Sequence, residues 1–121
     1  MAIRRFGKSD AYGALISRGV IHDGTLFLSG VTADDLSEDT ATQTKAVLAE
    51  IESLLAEAGT DKDSLLTVHI WLANMNDFAA MNAVWNAWVD PQMPPARTCV
   101  SGELFHPDCG VEITATAIVE D

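Results

Sequence analysis

Basic residues are scarce: seven lysines and arginines stand against eighteen aspartates and glutamates, a formal net charge of −11 over 121 residues. A field of that sign repels phosphate backbones, which sets nucleic-acid binding aside as a partner class. Cysteine is nearly missing as well, and two thiols cannot build a disulfide framework. No stretch approaches the roughly 18 consecutive apolar residues of a membrane span. The paired Arg4 and Arg5 have no apolar segment behind them of the kind a signal peptide carries. These absences predict a soluble, cytoplasmic protein with no membrane partner. The chain also lacks G-x-G-x-x-G, a P-loop and the nucleophile elbow G-x-S-x-G, so no nucleotide cofactor is expected.

What is present fits one domain spanning residues 1–121, with no repeat, linker or low-complexity tract. At 48% hydrophobic content and this length, folding buries roughly two thirds of the unfolded chain's surface, enough for a core without staples. Two apolar runs, LISRGVI and TLFLSGV, flank His22-Asp23-Gly24, and an Asp-Gly between such runs predicts a β-hairpin. Asp34 to Asp39 reads as loop. Thr40 and Gln43 then form a capping-box pattern, predicting a helix that carries Val47, Ile51, Leu54 and Leu55 and stops at Gly59. The run SLLTVHIWLA reads as a buried strand, and Asn74 or Asn76 caps a second helix bearing Phe78, Met81, Val84, Trp85 and Trp88. Strands follow from Ala96 and over Val111 to Val119, the latter with Val111, Ile113, Ala115, Ala117 and Val119 on one face. One sheet with both helices on the same side buries each helical stripe. Its other face then carries Trp71, Thr114, Thr116, Ile118 and Val100 or Cys99, and no further segment remains to cover it, which predicts a homo-oligomer packed sheet to sheet.

Arg97 is the candidate that arithmetic isolates, because no other lysine or arginine follows Lys62. A guanidinium on a predicted strand among apolar neighbours needs a partner. It either clamps a substrate carboxylate or makes an internal salt bridge with Glu103, Glu112 or Asp108. Glu112 is the counterpart, a lone carboxylate on an apolar strand, where partial burial raises the pKa toward the range useful for general acid/base work; a solvent-facing structural role is the competing reading. Cys99 alternates onto the same face as Arg97. His69 fits an interior or interface histidine. The spacing from Cys99 through His106 to Cys109 lacks the close pairs of a structural zinc site, so no metal is expected. Trp71, Trp85 and Trp88 suit core positions better than base-stacking platforms.

Ser29-Gly30, Asn76-Asp77-Phe78 with Asn82 following, Pro95-Ala96-Arg97-Thr98-Cys99-Val100 and Val111-Glu112-Ile113, in that order over nearly the whole chain, resemble the RidA (YjgF) family of enamine/imine deaminases. The resemblance implies a chorismate-mutase-like α+β fold: a two-layer arrangement of one mixed sheet of about six strands with two helices on one face, assembled as a homotrimer with ligand clefts between subunits. It also implies hydrolysis of 2-imino acids, the tautomers of 2-aminoacrylate-type enamines, to 2-oxo acids and ammonia, with no cofactor. Arg97 would hold the small carboxylate substrate, Glu112 would activate water, and Gly30, Cys99, Ile16 and Trp85 would line the cleft. Ile16 or Leu15 stands where many members carry a tyrosine, which alters the cleft edge. The alternative reading is a non-catalytic trimer binding a carboxylate metabolite or a protein partner in the same cleft. Chorismate mutase activity would require more cations than this half of the chain offers, and nuclease activity conflicts with the charge.

Overall fold

Apolar residues alternate along the last strand, so every second side chain enters one interior, and the rest of the architecture follows from covering that face. The computed structural model describes residues 2–120. Its strands are β1 (Arg4–Ser9), β2 (Ile16–His22), β3 (Thr25–Leu28), β4 (Leu65–Leu72), β5 (Ala96–Ser101) and β6 (Val111–Ile118). Helix α1 (Thr40–Glu57) lies between β3 and β4, and helix α2 (Phe78–Trp88) between β4 and β5. The six strands form one mixed sheet in the order β1-β2-β3-β6-β4-β5, in which only the β4–β5 pair is parallel. That parallel pair is joined through α2, as a crossover connection requires. Among the described residues, no helix is long and apolar enough to cross a membrane.

The core lies between the sheet and the two helices. It joins Ile70, Val111, Ile113 and Ala117 from the sheet to Val47, Leu48, Ile51, Leu55 and Met81 from the helices, all 1% exposed or less. Each large side chain buried this fully contributes about 1.5–3 kcal/mol relative to an exposed one. Along β6 the alternation is as read from the sequence: Val111, Ile113, Ala115 and Ala117 are buried, Glu112, Thr114 and Thr116 are half-buried, and Ile118 is exposed. The sheet face away from the helices carries Trp71, Thr114, Thr116, Ile118 and Val100, with Thr67 and Thr116 hydroxyls bonded at 2.6 Å across it. Cys99 is on the opposite side, pairing in register with Ile70 and packing against the core.

Two local expectations change. Helix α1 is capped by Asp39, whose side chain accepts from the Thr42 N–H at 2.8 Å, and not by a Thr40–Gln43 box. Both of those side chains are committed elsewhere: Thr40 Oγ1 donates to Asp77, and Gln43 reaches the chain around Asp108 and Gly110. The N-terminal segment, RRFGKS, is a strand although its sequence gives no apolar alternation; it is an edge strand, largely exposed, and lysine and arginine are what protects such an edge from unwanted pairing.

Candidate functional site

The predicted residues fall into two groups on opposite faces of the sheet. Arg97 pairs with the buried Val68 across the β4–β5 ladder, so it shares that residue's side, toward α2. Its guanidinium carbon lies 5.4 Å from the centre of the Trp85 ring and 5.9 Å from that of Phe78, and Nη1 approaches the Met81 sulfur at 3.9 Å. Residues 78, 81, 82 and 85 form one stripe of α2, because three- and four-residue spacings align on a helix. Among the described residues no carboxylate pairs with Arg97, and the internal salt bridge with Glu103, Glu112 or Asp108 is not formed. Ring contacts of this kind contribute about 0.5–2 kcal/mol. A charge-assisted hydrogen bond contributes about 1.5–3 kcal/mol, so the fork retains its stronger interaction for a carboxylate arriving from outside. Cys99, two residues along the same face, has its thiol pKa raised by burial, an effect the Arg97 charge partly opposes.

Asn82 belongs to this group and the sequence did not assign it a role. Its side-chain oxygen is buried and has no hydrogen-bond partner. Leaving such an atom unpaired costs about 1–3 kcal/mol, and among the described residues no donor recovers it. The signal available in the sequence was an amide set on the stripe of Phe78, Met81 and Trp85, where a purely structural helix face would place another apolar residue.

Glu112 begins the second group. It pairs with Trp71 on the face opposite the helices, between the buried Val111 and Ile113. Burial alone pushes its carboxyl pKa upward, and among the described residues no salt bridge or side-chain hydrogen bond compensates. Gly30 is its immediate neighbour: a Cβ there would collide with Glu112 Oε2, so only glycine lets the carboxylate lie against that backbone. Next to Gly30, Ser29 Oγ donates to the Ser17 carbonyl at 2.6 Å, which ties in the start of β2, where Ile16 is half-buried. The structure therefore assembles Arg97, Cys99 and Trp85 in one place and Glu112 and Gly30 in another, with Ile16 joined to the second through the Ser17–Ser29 bond.

Strand β4 stands between β5 and β6, so the two groups cannot meet within one chain. Nor does the groove of about 380 Å³ between α1 and α2, lined by Leu48, Val84 and Trp88 among others, contain either Arg97 or Glu112. Fold and site define a small α+β protein that presents, among the described residues, an unpaired cation on one sheet face and an uncompensated carboxylate on the other.

A family profile described as Endoribonuclease L-PSP matches residues 9–119. The chain belongs to this family, which is also called YjgF, RutC or RidA. It is 43% identical to the RutC family protein YoaB of Escherichia coli over 100 residues, covering 83% of this chain and 87% of that protein. A RutC family protein of Haemophilus ducreyi is 38% identical over 103 residues, covering 85% and 88%. Among solved structures, a YjgF-family protein of Neisseria meningitidis superposes with a TM-score of 0.90 at 43% identity, covering 100% of this chain and 98% of that one.

Proposed function

We propose that the protein hydrolyses small 2-imino acids, and their enamine tautomers, to 2-oxo acids and ammonia. The observation that carries this reading is the Arg97 guanidinium, oriented by Trp85, Phe78 and Met81 with no carboxylate partner among the described residues. Arg97 binds the substrate carboxylate bidentately. Glu112, its pKa raised by burial, takes a proton from water as the water oxygen bonds to C2 and delivers it to the imine nitrogen, returning to the carboxylate. The resulting carbinolamine returns its hydroxyl proton to Glu112, which passes a proton to the leaving nitrogen. The C–N bond then breaks and ammonia departs, leaving the 2-oxo acid. An imine carbon is already electrophilic, so acid/base assistance of about 10²- to 10⁴-fold suffices.

A second copy must bring its Glu112 face to the Arg97 face of the first. In the homotrimer that the family resemblance implies, each cleft is shared between neighbouring subunits, and the uncovered sheet face gains an occupant. The family description names an endoribonuclease, but a formal charge of −11 works against binding RNA.

The test generates 2-iminopropanoate or 2-iminobutanoate enzymatically and traps it with semicarbazide. Diversion of the imine to 2-oxo acid by the wild-type protein is expected, with loss of diversion in Arg97→Ala. Normal diversion by a folded Arg97→Ala variant removes the clamp. An inert wild type that still binds 2-oxo acids at Arg97 would make the protein a carboxylate-binding module.

A further inference from the structure

We propose that Gln43 is a positioning residue for Glu112: its buried amide fixes the segment 108–110 from which β6 departs, and thereby fixes where the Glu112 carboxylate stands. The inference rests on the reading of Glu112 as the group that activates water.

Gln43 sits in the first turn of α1 and is 2% exposed. Its Nε2 donates to the carbonyls of Glu38 and Asp108, each at 3.0 Å, and its Oε1 accepts from the Gly110 N–H at 2.9 Å. A methionine or leucine would fill similar volume, so an amide at this depth is explained by those bonds rather than by packing. On the other side, the Gly110 carbonyl accepts from the Ala73 N–H at 3.0 Å, just beyond β4. A Cβ on Gly110 would collide with Thr40 Oγ1, so this backbone lies directly against the helix turn that carries Gln43. The chain two residues before Glu112 is thus held from the helix layer and from the sheet at once.

Without the amide, the Gly110 N–H and the Asp108 carbonyl lose their side-chain partner in a region where Cys109 and Gly110 are buried. Either the segment shifts or water enters to pair with them. Both outcomes alter the surroundings of Glu112, whose raised pKa comes from burial alone. The neighbouring Cys109 thiol is coupled to it: burial raises the thiol's pKa, the Val111 backbone bond opposes this, and the Glu112 charge raises it further.

The experiment compares full-length wild type, Gln43→Met and Thr40→Val. It follows the Glu112 side-chain carboxyl by ¹³C NMR titration and measures kcat and KM on the trapped-imine assay. For Gln43→Met we expect kcat to fall about 10- to 100-fold, the range of a displaced catalytic group, with KM within about threefold because Arg97 is untouched. The Glu112 midpoint should fall toward the ordinary carboxylate range. Thr40→Val removes the bond to Asp77 from the same turn and should leave that midpoint at its wild-type value. If Gln43→Met does not fold, Gln43→Asn, which withdraws the amide by one methylene, should shift the midpoint in the same direction. A folded Gln43 variant with lowered melting temperature but an unchanged Glu112 midpoint overturns the proposal. The titration needs no turnover, so an inert wild type would defeat the deaminase reading while the midpoint still decides the role of Gln43.

Discussion

Two side chains are held without the partners that elementary electrostatics would give them, and each makes its own prediction. Arg97 uses its rings and the Met81 sulfur for orientation and has its fork left over. Arg97→Ala should weaken binding of a 2-oxo acid by about 100-fold or more, the loss of a bidentate charge-assisted contact, as read by calorimetry. Arg97→Lys should recover little of this, since an ammonium cannot reproduce the planar fork. Glu112→Gln should lower kcat about 10²- to 10⁴-fold with little change in KM. The same substitution should raise the melting temperature at pH 7. Burial lifts the folded-state pKa of Glu112 above its ordinary value, so the folded protein gains stability from the protonated form at low pH and loses it as pH rises through the folded pKa. Gln removes that loss, and its advantage should vanish below the ordinary carboxylate pKa; an equal advantage at pH 3.5 and pH 7 would contradict the burial account. Arg97 was legible from the sequence because no other permanent cation follows Lys62. Asn82 was not, because an amide on a helix reads as surface until its neighbours are known, and the Ser17–Ser29 bond that ties the start of β2 to the Gly30 backbone is one no local pattern announces.

At the level of elements, local chemistry told which segments would be helix or strand, whereas the use of individual polar side chains depended on distant partners. The hairpin turn appears where Asp23-Gly24 placed it, both residues with positive φ, and α1 ends before Gly59, at φ 87°. Gly59→Ala should therefore cost about 1 kcal/mol, the ordinary penalty for a side chain in the left-handed region, and should leave imine turnover unchanged because the helix end is remote from both groups of site residues. A thermal melt alongside the turnover assay reads both. The cap of α1 shows the limit of local reasoning. Thr40 and Gln43 have the spacing of a reciprocal cap, yet Asp39 outcompetes them, and they are released for bonds to Asp77, Asp108 and Gly110, residues 37 to 67 positions away. Only tertiary structure distinguishes a capping pair from a pair that ties one layer to another. Strand β1 escaped for the opposite reason: an exposed edge needs no apolar alternation, so its charged sequence carried no strand signal.

For the molecule as a whole, the decisive fact is that β4 separates Arg97 on the helix side of β5 from Glu112 on the far face of β6. The sequence predicted an uncovered sheet face, but not that Arg97 and Glu112 would stand on opposite faces, since that depends on strand order. If clefts form between subunits, each one takes its cation from one chain and its carboxylate from the next, and light scattering should give the mass of three chains. Complementation then becomes possible between two variants that are each inactive. In trimers assembled at random from equal amounts of Arg97→Ala and Glu112→Gln, a cleft is intact when its cation comes from the second variant and its carboxylate from the first. That combination arises in about one cleft in four, so co-refolded mixtures should regain about a quarter of wild-type turnover, with neither parent active alone. Mixing the folded variants without exchange of subunits should restore nothing. A site contained within one chain would give no recovery under either protocol, so the size of the regained rate measures directly whether two copies build the site.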